Sequence, residues 1–225
     1  MITGILQARM SSSRLPGKVM KPILGEPMIG RQIERLKRAG RLDQLVIATS
    51  GEEGDTPLAN YVRSIGVKVY RGPLDDVLER FLGAARASAA SHVVRLTADC
   101  PLADWTVIDD CIALHLESRA DYTSNAVVRS YPDGLDVEVV KMEVLEAAGR
   151  EAAPGPAREH VTPFIYGHPE RFKLRHLTQE PNLEHVRWTV DTAEDLDFVT
   201  AAYEALYPEN PAFTTVDIHR WEASR

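Results

Sequence analysis

Cysteine is nearly absent. The 225 residues hold only Cys100 and Cys111, with no C-x-x-C and no histidine pair at metal-ligand spacing. A disulfide framework and a cysteine zinc site are thereby excluded. Both thiols are expected to be buried structural residues of a reducing compartment. Long apolar runs are also missing. No stretch approaches eighteen apolar residues, so no membrane-spanning segment is expected. The opening MITGILQARM is too short and too soon charged to read as a signal peptide, and a cytoplasmic location is expected. A basic excess is lacking. The net charge is −7, which argues against a general nucleic-acid binder but leaves room for a local basic pocket. Several motifs are absent: G-x-G-x-x-G, H-E-x-x-H, G-x-S-x-G and a complete Walker A.

What is present is an ordinary globular composition, 44% apolar and 26% charged. A chain of this length can bury roughly 70–75% of its unfolded surface without staples. Strand-like runs alternate with helix-period segments through the first half. ITGIL, LVIAT (45–49), VKVY (67–70) and HVVRLTAD (92–99) read as strands. Between and after them lie four helix patterns. Ile29, Ile33 and Leu36 recur at helical spacing, with Pro27 at the start and Gly40 at the end. Leu58, Val62 and Ile65 share a face after Asp55 as cap and before Gly66 as stop. Leu78, Phe81, Leu82 and Ala85 form a third stripe, and DWTVIDDCIALHLES a fourth helix. Four β-then-α units predict an α/β fold with a mainly parallel sheet and helices on both faces. Ligands of such sheets bind beyond the carboxyl ends of the strands. That rule gathers the loop after the first strand, RGPLDD after the third and TADCP after the fourth.

The second half changes character. LDVEVV (135–140) alternates with period two and predicts a strand with one wet face. FKLRHL (172–177) alternates more weakly, and HVRWTVD (185–191) reads as a strand ending on an aspartate. AEDLDFVTAAYEAL follows as a helix with Thr192 as cap, and REAAPGPARE (150–159) reads as a loop. One domain over 1–225 is expected.

The loop QARMSSSRLPGK (7–18) ends in Gly-Lys as a P-loop does. Yet Ser12 stands where the first glycine would be, and Val19 replaces the Ser or Thr. Arg9, Arg14 and Lys18 supply cations, Ser11, Ser12 and Ser13 small hydroxylated side chains, and Gly17 backbone freedom. Such a set forms an anion site; a solvated basic turn is the other reading. Asp99 and Asp191 both end strand-like runs, and one or two carboxylates plus substrate phosphates commonly hold Mg²⁺. The alternatives are a turn before Pro101 for Asp99 and a helix cap for Asp191.

QARMSSSRLPGKVMKPILGEPMI resembles the N-terminal signature of the CMP-sugar synthetases, the cytidylyltransferases that activate Kdo and sialic acids, with their R-x-x-S-x-R-L-P-G-K pattern. The match is nearer to the branch similar to spore coat polysaccharide biosynthesis protein F. That branch carries RGPLDDVLERF, VRLTADCP, YPDGLDVEVV, REHVTPFI and RWTVDTAEDL much as they stand here. The resemblance spans Ile2 to about Phe198. It implies a nucleotide-diphospho-sugar transferase (Rossmann-like) fold and a homodimer, with about 125–190 contributing the acceptor site and dimer contacts. By resemblance, Arg9, Arg14 and Lys18 hold the CTP phosphates, Ser13 lies with them, and the backbone at Gln7 and Ala8 reads the pyrimidine. Arg71, Gly72, Asp75, Asp76 and Arg80 are candidates for closing on base and ribose. Asp75 and Asp76 could equally be a helix N-cap pair. Thr97 and Ala98 flank the nucleotide, and Asp99 and Asp191 chelate Mg²⁺. Arg14, Lys18, Asp99 and Asp191 are thus the candidate catalytic set.

For the acceptor, the matching segments offer Tyr131, Asp133, Gly134, Asp136, Glu138, Arg158, Glu159, His160 and Arg187. Asp136 and Glu138 share a strand face and suit hydroxyl or ammonium donors, or form a solvated face. Arg158 and Arg187 are candidates for a sugar-acid carboxylate. His160 could take a proton or serve structurally. The expected activity is Mg²⁺-dependent transfer of CMP from CTP to a sugar or sugar-acid acceptor, in surface polysaccharide or related glycoconjugate biosynthesis. A GT-A-like glycosyltransferase and a non-catalytic nucleotide-binding regulator are the alternatives. No nucleic-acid or membrane partner is expected.

Overall fold

The short β-branched and leucine-rich runs of the first half become strands because they can be buried on both faces, as a parallel sheet requires. A computed structural model describes residues 1–224. Its elements in chain order are β1 (Ile2–Gln7), β2 (Pro22–Ile23), β3 (Glu26–Pro27), α1 (Met28–Leu36), β4 (Gln44–Ser50), α2 (Thr56–Ser64), β5 (Lys68–Gly72), α3 (Val77–Ala87), β6 (His92–Thr97), α4 (Trp105–Ser118), β7 (Tyr122–Ser124), β8 (Glu138–Lys141), α5 (Met142–Glu151), α6 (Pro156–Glu159), α7 (Pro163–Tyr166), β9 (Leu174–His176), α8 (Ala193–Leu206) and α9 (Thr215–Ala223). A seven-stranded sheet has the order β5-β4-β1-β6-β8-β7-β9, and β2-β3 is a separate small ribbon. Strands β5, β4, β1 and β6 run parallel. Strand β8 is antiparallel to both its neighbours, β6 and β7, and β9 pairs parallel to β7. From β1 the chain steps out to β4 and β5, then returns to β6 on the other flank of β1. The topological switch point therefore lies at the carboxyl ends of β1 and β6.

Two cores follow from strand alternation. Leu6, Ile47, Val94 and Leu96 face Ile33, Leu58, Ile108 and Tyr203 of α1, α2, α4 and α8. Ile5, Val46 and Val93 face Leu78, Phe81, Leu145 and Ile165 of α3, α5 and α7. The helix stripes expected from periodicity are buried except for Ile65, which is partly buried just past α2, and α1 ends at Leu36 with Gly40 beyond it. Gly66 follows α2 at φ 73°, and Thr192 closes a capping box with Asp195 on α8. Both cysteines are buried free thiols. No helix of the described residues is long and apolar enough to cross a membrane.

Several expectations fail for identifiable reasons. Asp55 stands at the N-cap position of α2, but its side chain makes no capping bond there. Its buried carboxylate instead accepts from Met10 N (2.7 Å), Thr49 Oγ1 (2.9 Å) and Ser50 N (3.0 Å), tying the opening loop to β4. HVRWTVD is no strand. Its backbone bonds go to separate partners, Trp188 N to Asp133 O (2.7 Å) and Val190 N to Asp99 O (2.8 Å), so it crosses the strand ends instead of lying along one. Strand β8 is shorter than LDVEVV and its acidic face is not wet, because Glu138 is buried among donors. REAAPGPARE is only partly loop: α5 runs to Glu151, and Pro156–Glu159 makes a helical turn. Strand β7 and helix α9 had no clear sequence signal.

Candidate active site

The loop after β1 folds back on itself. Met10 O accepts from Ser12 N (2.9 Å) and Gly17 N (3.0 Å), and Gly17 takes φ 68° before a short 3-10 turn over Lys18–Met20. A left-handed residue at this point suits glycine. Lys18 is thereby aimed across the strand ends. Its Nζ donates to Val190 O (2.7 Å) and Asp191 Oδ1 (2.9 Å) and lies 3.9 Å from Asp99 Oδ2. Arg14 Nη2 reaches the same Asp191 Oδ1 at 2.9 Å, with 64% of its side chain exposed. Arg187 Nη2 takes Asp191 Oδ2 at 3.0 Å. Burial alone would raise the Asp191 pKa, but these cations, Lys18 foremost, hold it below the usual carboxylate range. Asp99 and Asp191, 92 positions apart in sequence, thus share one ammonium. Asp191 arrives on a segment that crosses the strand ends, and Lys18 bridges it to Asp99. Two carboxylates suit a hard cation with phosphate and water as further ligands. Among the described residues no group of three or more His, Cys, Asp or Glu makes a complete protein metal site.

A cleft of about 490 Å³ opens here. Gln7, Ala8, Arg9, Ser13, Arg14, Lys18, Asp75, Thr97, Ala98, Asp99, Glu159, His160 and Asp191 line it, joined by Ser12, Val19, Leu74, Val77 and Arg95. The Gln7 Oε1 is buried and without a partner. Four candidates from RGPLDD and its helix, Arg71, Gly72, Asp76 and Arg80, do not line the cleft. Arg71 donates to Ser50 O (2.9 Å), Glu52 O (2.6 Å) and Thr56 Oγ1 (3.2 Å). Arg80 is fully buried and donates to Pro73 O and Leu74 O, holding the loop from below. Asp76 caps α3 by accepting from Glu79 N (2.9 Å), the capping alternative, while Asp75 faces the cleft. Gly72 O accepts from Gly51 N (2.8 Å) at the end of β5.

A second cavity of about 390 Å³ adjoins the cleft, and Arg95 and His160 line both. Asp136, Glu138, Tyr122, Thr162, Arg129, Tyr166, Ala126 and Val127 complete it. Glu138 pairs with Arg95 and accepts from Tyr122 OH (2.6 Å) and Thr162 Oγ1. Burial would drive the Arg95 proton off, but the Glu138 carboxylate keeps its pKa above the ordinary value. Other acceptor candidates lie elsewhere. Arg158 Nε binds Asp76 Oδ2 (2.7 Å), and Arg187 binds Asp191 and Asp195. Asp133 pairs with Arg129 and Arg187, and Tyr131 packs partly buried on the core. Gly134 lies at φ 115° against the backbone of Trp188. Arg95, Arg129, Tyr122 and Thr162 carried no sequence assignment. Only Arg95 gave a signal, as a charge inside the apolar run VVRLT that needs a buried partner.

The Cytidylyltransferase family model matches residues 3–208. The chain belongs to the cytidylyltransferase family. The cytidylyltransferase described here is 34% identical over 207 residues to the spore coat polysaccharide biosynthesis protein SpsF of Bacillus subtilis, covering 89% of this chain and 85% of that one. It is 33% identical over 145 residues to the 3-deoxy-manno-octulosonate cytidylyltransferase of Geobacter sulfurreducens, covering 63% and 56% of the two chains. A solved cytidylyltransferase from Leptospira borgpetersenii superposes with a TM-score of 0.94 at 30% identity, covering 99% of this chain and 94% of that one. The fold and the nucleotidyltransferase activity expected from sequence both stand, ahead of the glycosyltransferase and regulator alternatives.

Proposed function

We propose that this cytidylyltransferase transfers CMP from CTP to a hydroxyl of a sugar or sugar-acid acceptor, with Mg²⁺, in surface polysaccharide or related glycoconjugate biosynthesis. The observation that carries the reading is the convergence of Arg14 and Lys18 with Asp99 and Asp191 at the strand ends, beside a second cavity. The names of the SpsF and 3-deoxy-manno-octulosonate relatives support a sugar-related acceptor. The acceptor oxygen bonds to the α-phosphorus while the bond from that phosphorus to its bridging oxygen breaks. Pyrophosphate leaves, and the hydroxyl proton passes to solvent. Arg14 and Lys18 bind the triphosphate, and the loop amides orient it. Asp99 and Asp191 would hold Mg²⁺, which when bound would offset charge on the α-phosphate and the departing pyrophosphate. Arg95 stands at the passage between nucleotide and acceptor cavities.

The test is nucleotide choice. CTP with Mg²⁺ should raise the melting temperature more than ATP, GTP or UTP. At 100-fold above its dissociation constant a ligand adds about 2.7 kcal/mol. Equal shifts from all four would remove the pyrimidine selectivity, and no shift from any would remove the transferase reading.

A further inference from the structure

We propose that Arg95 is a catalytic residue whose Nε–H donates to a non-bridging oxygen of the CTP α-phosphate, at the joint of the two cavities. The proposal rests on the nucleotidyl-transfer reading and adds a residue to it. Transfer needs the acceptor oxygen and the α-phosphorus to meet where the second cavity opens into the nucleotide cleft. Arg95 and His160 line both spaces. His160 is exposed on the turn after α6, whereas Arg95 is fixed in the sheet. It sits on β6, in register with Ile5 of β1 and Glu138 of β8. Strand alternation puts Arg95 on the same face as Thr97, and Thr97 lines the cleft. Arg95 thus bridges the acceptor side of the sheet and the cleft.

The donor is held in place and unused. Arg95 Nη1 pairs with Glu138 Oε1. The other oxygen of that carboxylate, Oε2, accepts from Tyr122 OH (2.6 Å) and Thr162 Oγ1. Arg95 Nε is left buried and without a partner among the described residues. A buried donor left open costs free energy in the free protein, and an incoming phosphate oxygen recovers it. Tyr122 and Thr162 hold Glu138, and Glu138 holds the guanidinium. The N–H is therefore set before the phosphate arrives and needs no reorganisation during the reaction. Glu138 also balances the Arg95 charge. Arg95 then acts through a directed bond and exerts little pull on the more distant phosphates, which are left to Arg14 and Lys18.

The two halves of CTP separate these roles. CMP carries the α-phosphate, and pyrophosphate stands for the β- and γ-phosphates. Isothermal titration measures each in the presence of Mg²⁺. Arg95→Lys keeps a cation for Glu138 and removes the Nε donor. It should weaken CMP binding roughly tenfold to a hundredfold and leave pyrophosphate binding within about twofold of the wild type. If Arg95→Lys fails to fold, Arg95→Met combined with Glu138→Gln removes both charges together and should give the same pattern. The wild type supplies a readout of its own. The NMR signal of the Arg95 Nε–H should move downfield with CMP and stay in place with pyrophosphate. Unchanged CMP affinity in a folded variant overturns the proposal. So does an equal loss of both ligands, or an Arg95 signal indifferent to CMP. A wild type that binds neither CMP nor pyrophosphate strikes the nucleotide reading instead and is scored apart from the variants.

Discussion

Lys18 is the residue on which the cleft turns. It is nearly enclosed, with 12% of its side chain exposed, whereas Arg14 is mostly in solvent. An enclosed cation interacts with a phosphate through less water and loses more when removed. Lys18→Ala should weaken triphosphate binding roughly tenfold to a hundredfold, and Arg14→Ala less. Isothermal titration with CTP ranks the two, and equal loss in both would count against the burial argument. The acids behave differently from a pair of repelling charges. Removing one of two bare carboxylates would relieve repulsion and raise stability. In the fold, Arg14, Lys18 and Arg187 neutralise Asp191, so its ionised form stabilises the protein above the ordinary carboxylate range. Asp191→Asn should lower the melting temperature of the nucleotide-free protein at neutral pH and lose Mg²⁺-dependent turnover. An unchanged or raised melting temperature would restore the repulsion picture.

Elements were legible where one segment's periodicity decides its own state. The stripes of α1, α2 and α3 and the runs of β1, β4 and β6 needed no partner to be read. Elements whose state depends on distant backbone were not legible. HVRWTVD has the composition of a strand, yet its hydrogen bonds go to Asp99 and Asp133 and make it a strap over the strand ends. Nothing local distinguishes the two outcomes, because β-propensity reports fit to a surface and not the surface itself. The strap is pinned where it passes Gly134. A Cβ there would sit 2.9 Å from Trp188 C and 3.0 Å from Thr189 N, at a φ of 115°. Both obstacles are backbone, so no side chain can yield. Gly134→Ala should cost on the order of 2–3 kcal/mol. It should also reduce CTP affinity, since the strap carries Asp191. Urea unfolding with parallel CTP titration checks both, and full affinity in the destabilised variant would separate the strap from the site.

At the scale of the whole molecule, the strands have one chemical end and one structural end. Opposite the cleft, at the entry of β6, His92 Nδ1 lies 3.1 Å from His115 Nε2, and His115 Nδ1 lies 3.0 Å from Thr123 Oγ1. Burial, with His92 and Lys141 beside it and Asp121 opposing, lowers the His115 pKa to about 4. Burial also lowers that of His92, helped by the N-terminal ammonium and Lys141 against Glu143. An unfolded histidine titrates near its ordinary value, so between that value and about 4 the unfolded chain binds more protons. Stability contributed by neutral His115 is present above about pH 6.5 and is lost as the pH falls toward 4. His115→Gln should flatten this limb of a stability-against-pH curve while leaving CTP binding at neutral pH unchanged. An equally steep limb in the variant would assign the acid sensitivity to other groups. The mainly parallel sheet and the gathering of three loops at its carboxyl edge could be read from alternating periods, but not the strand order. The charge pairing of Arg95 with Glu138 could not, because 43 positions separate them and composition does not say which acids are dry.

Asp191, gripped by Arg14, Lys18 and Arg187, makes nucleotide capture an exchange and not a simple addition. The incoming phosphates trade places with an internal counter-ion, so part of the charge they need neutralised is set free only as they arrive. Mg²⁺ alone, with no anion to draw Lys18 away, must compete against a bound ammonium. Calorimetry should therefore find Mg²⁺ binding weak in the free protein and tight once CTP is present, an obligatory order written into one carboxylate. Tight Mg²⁺ binding without nucleotide would show that the grip on Asp191 is not the gate.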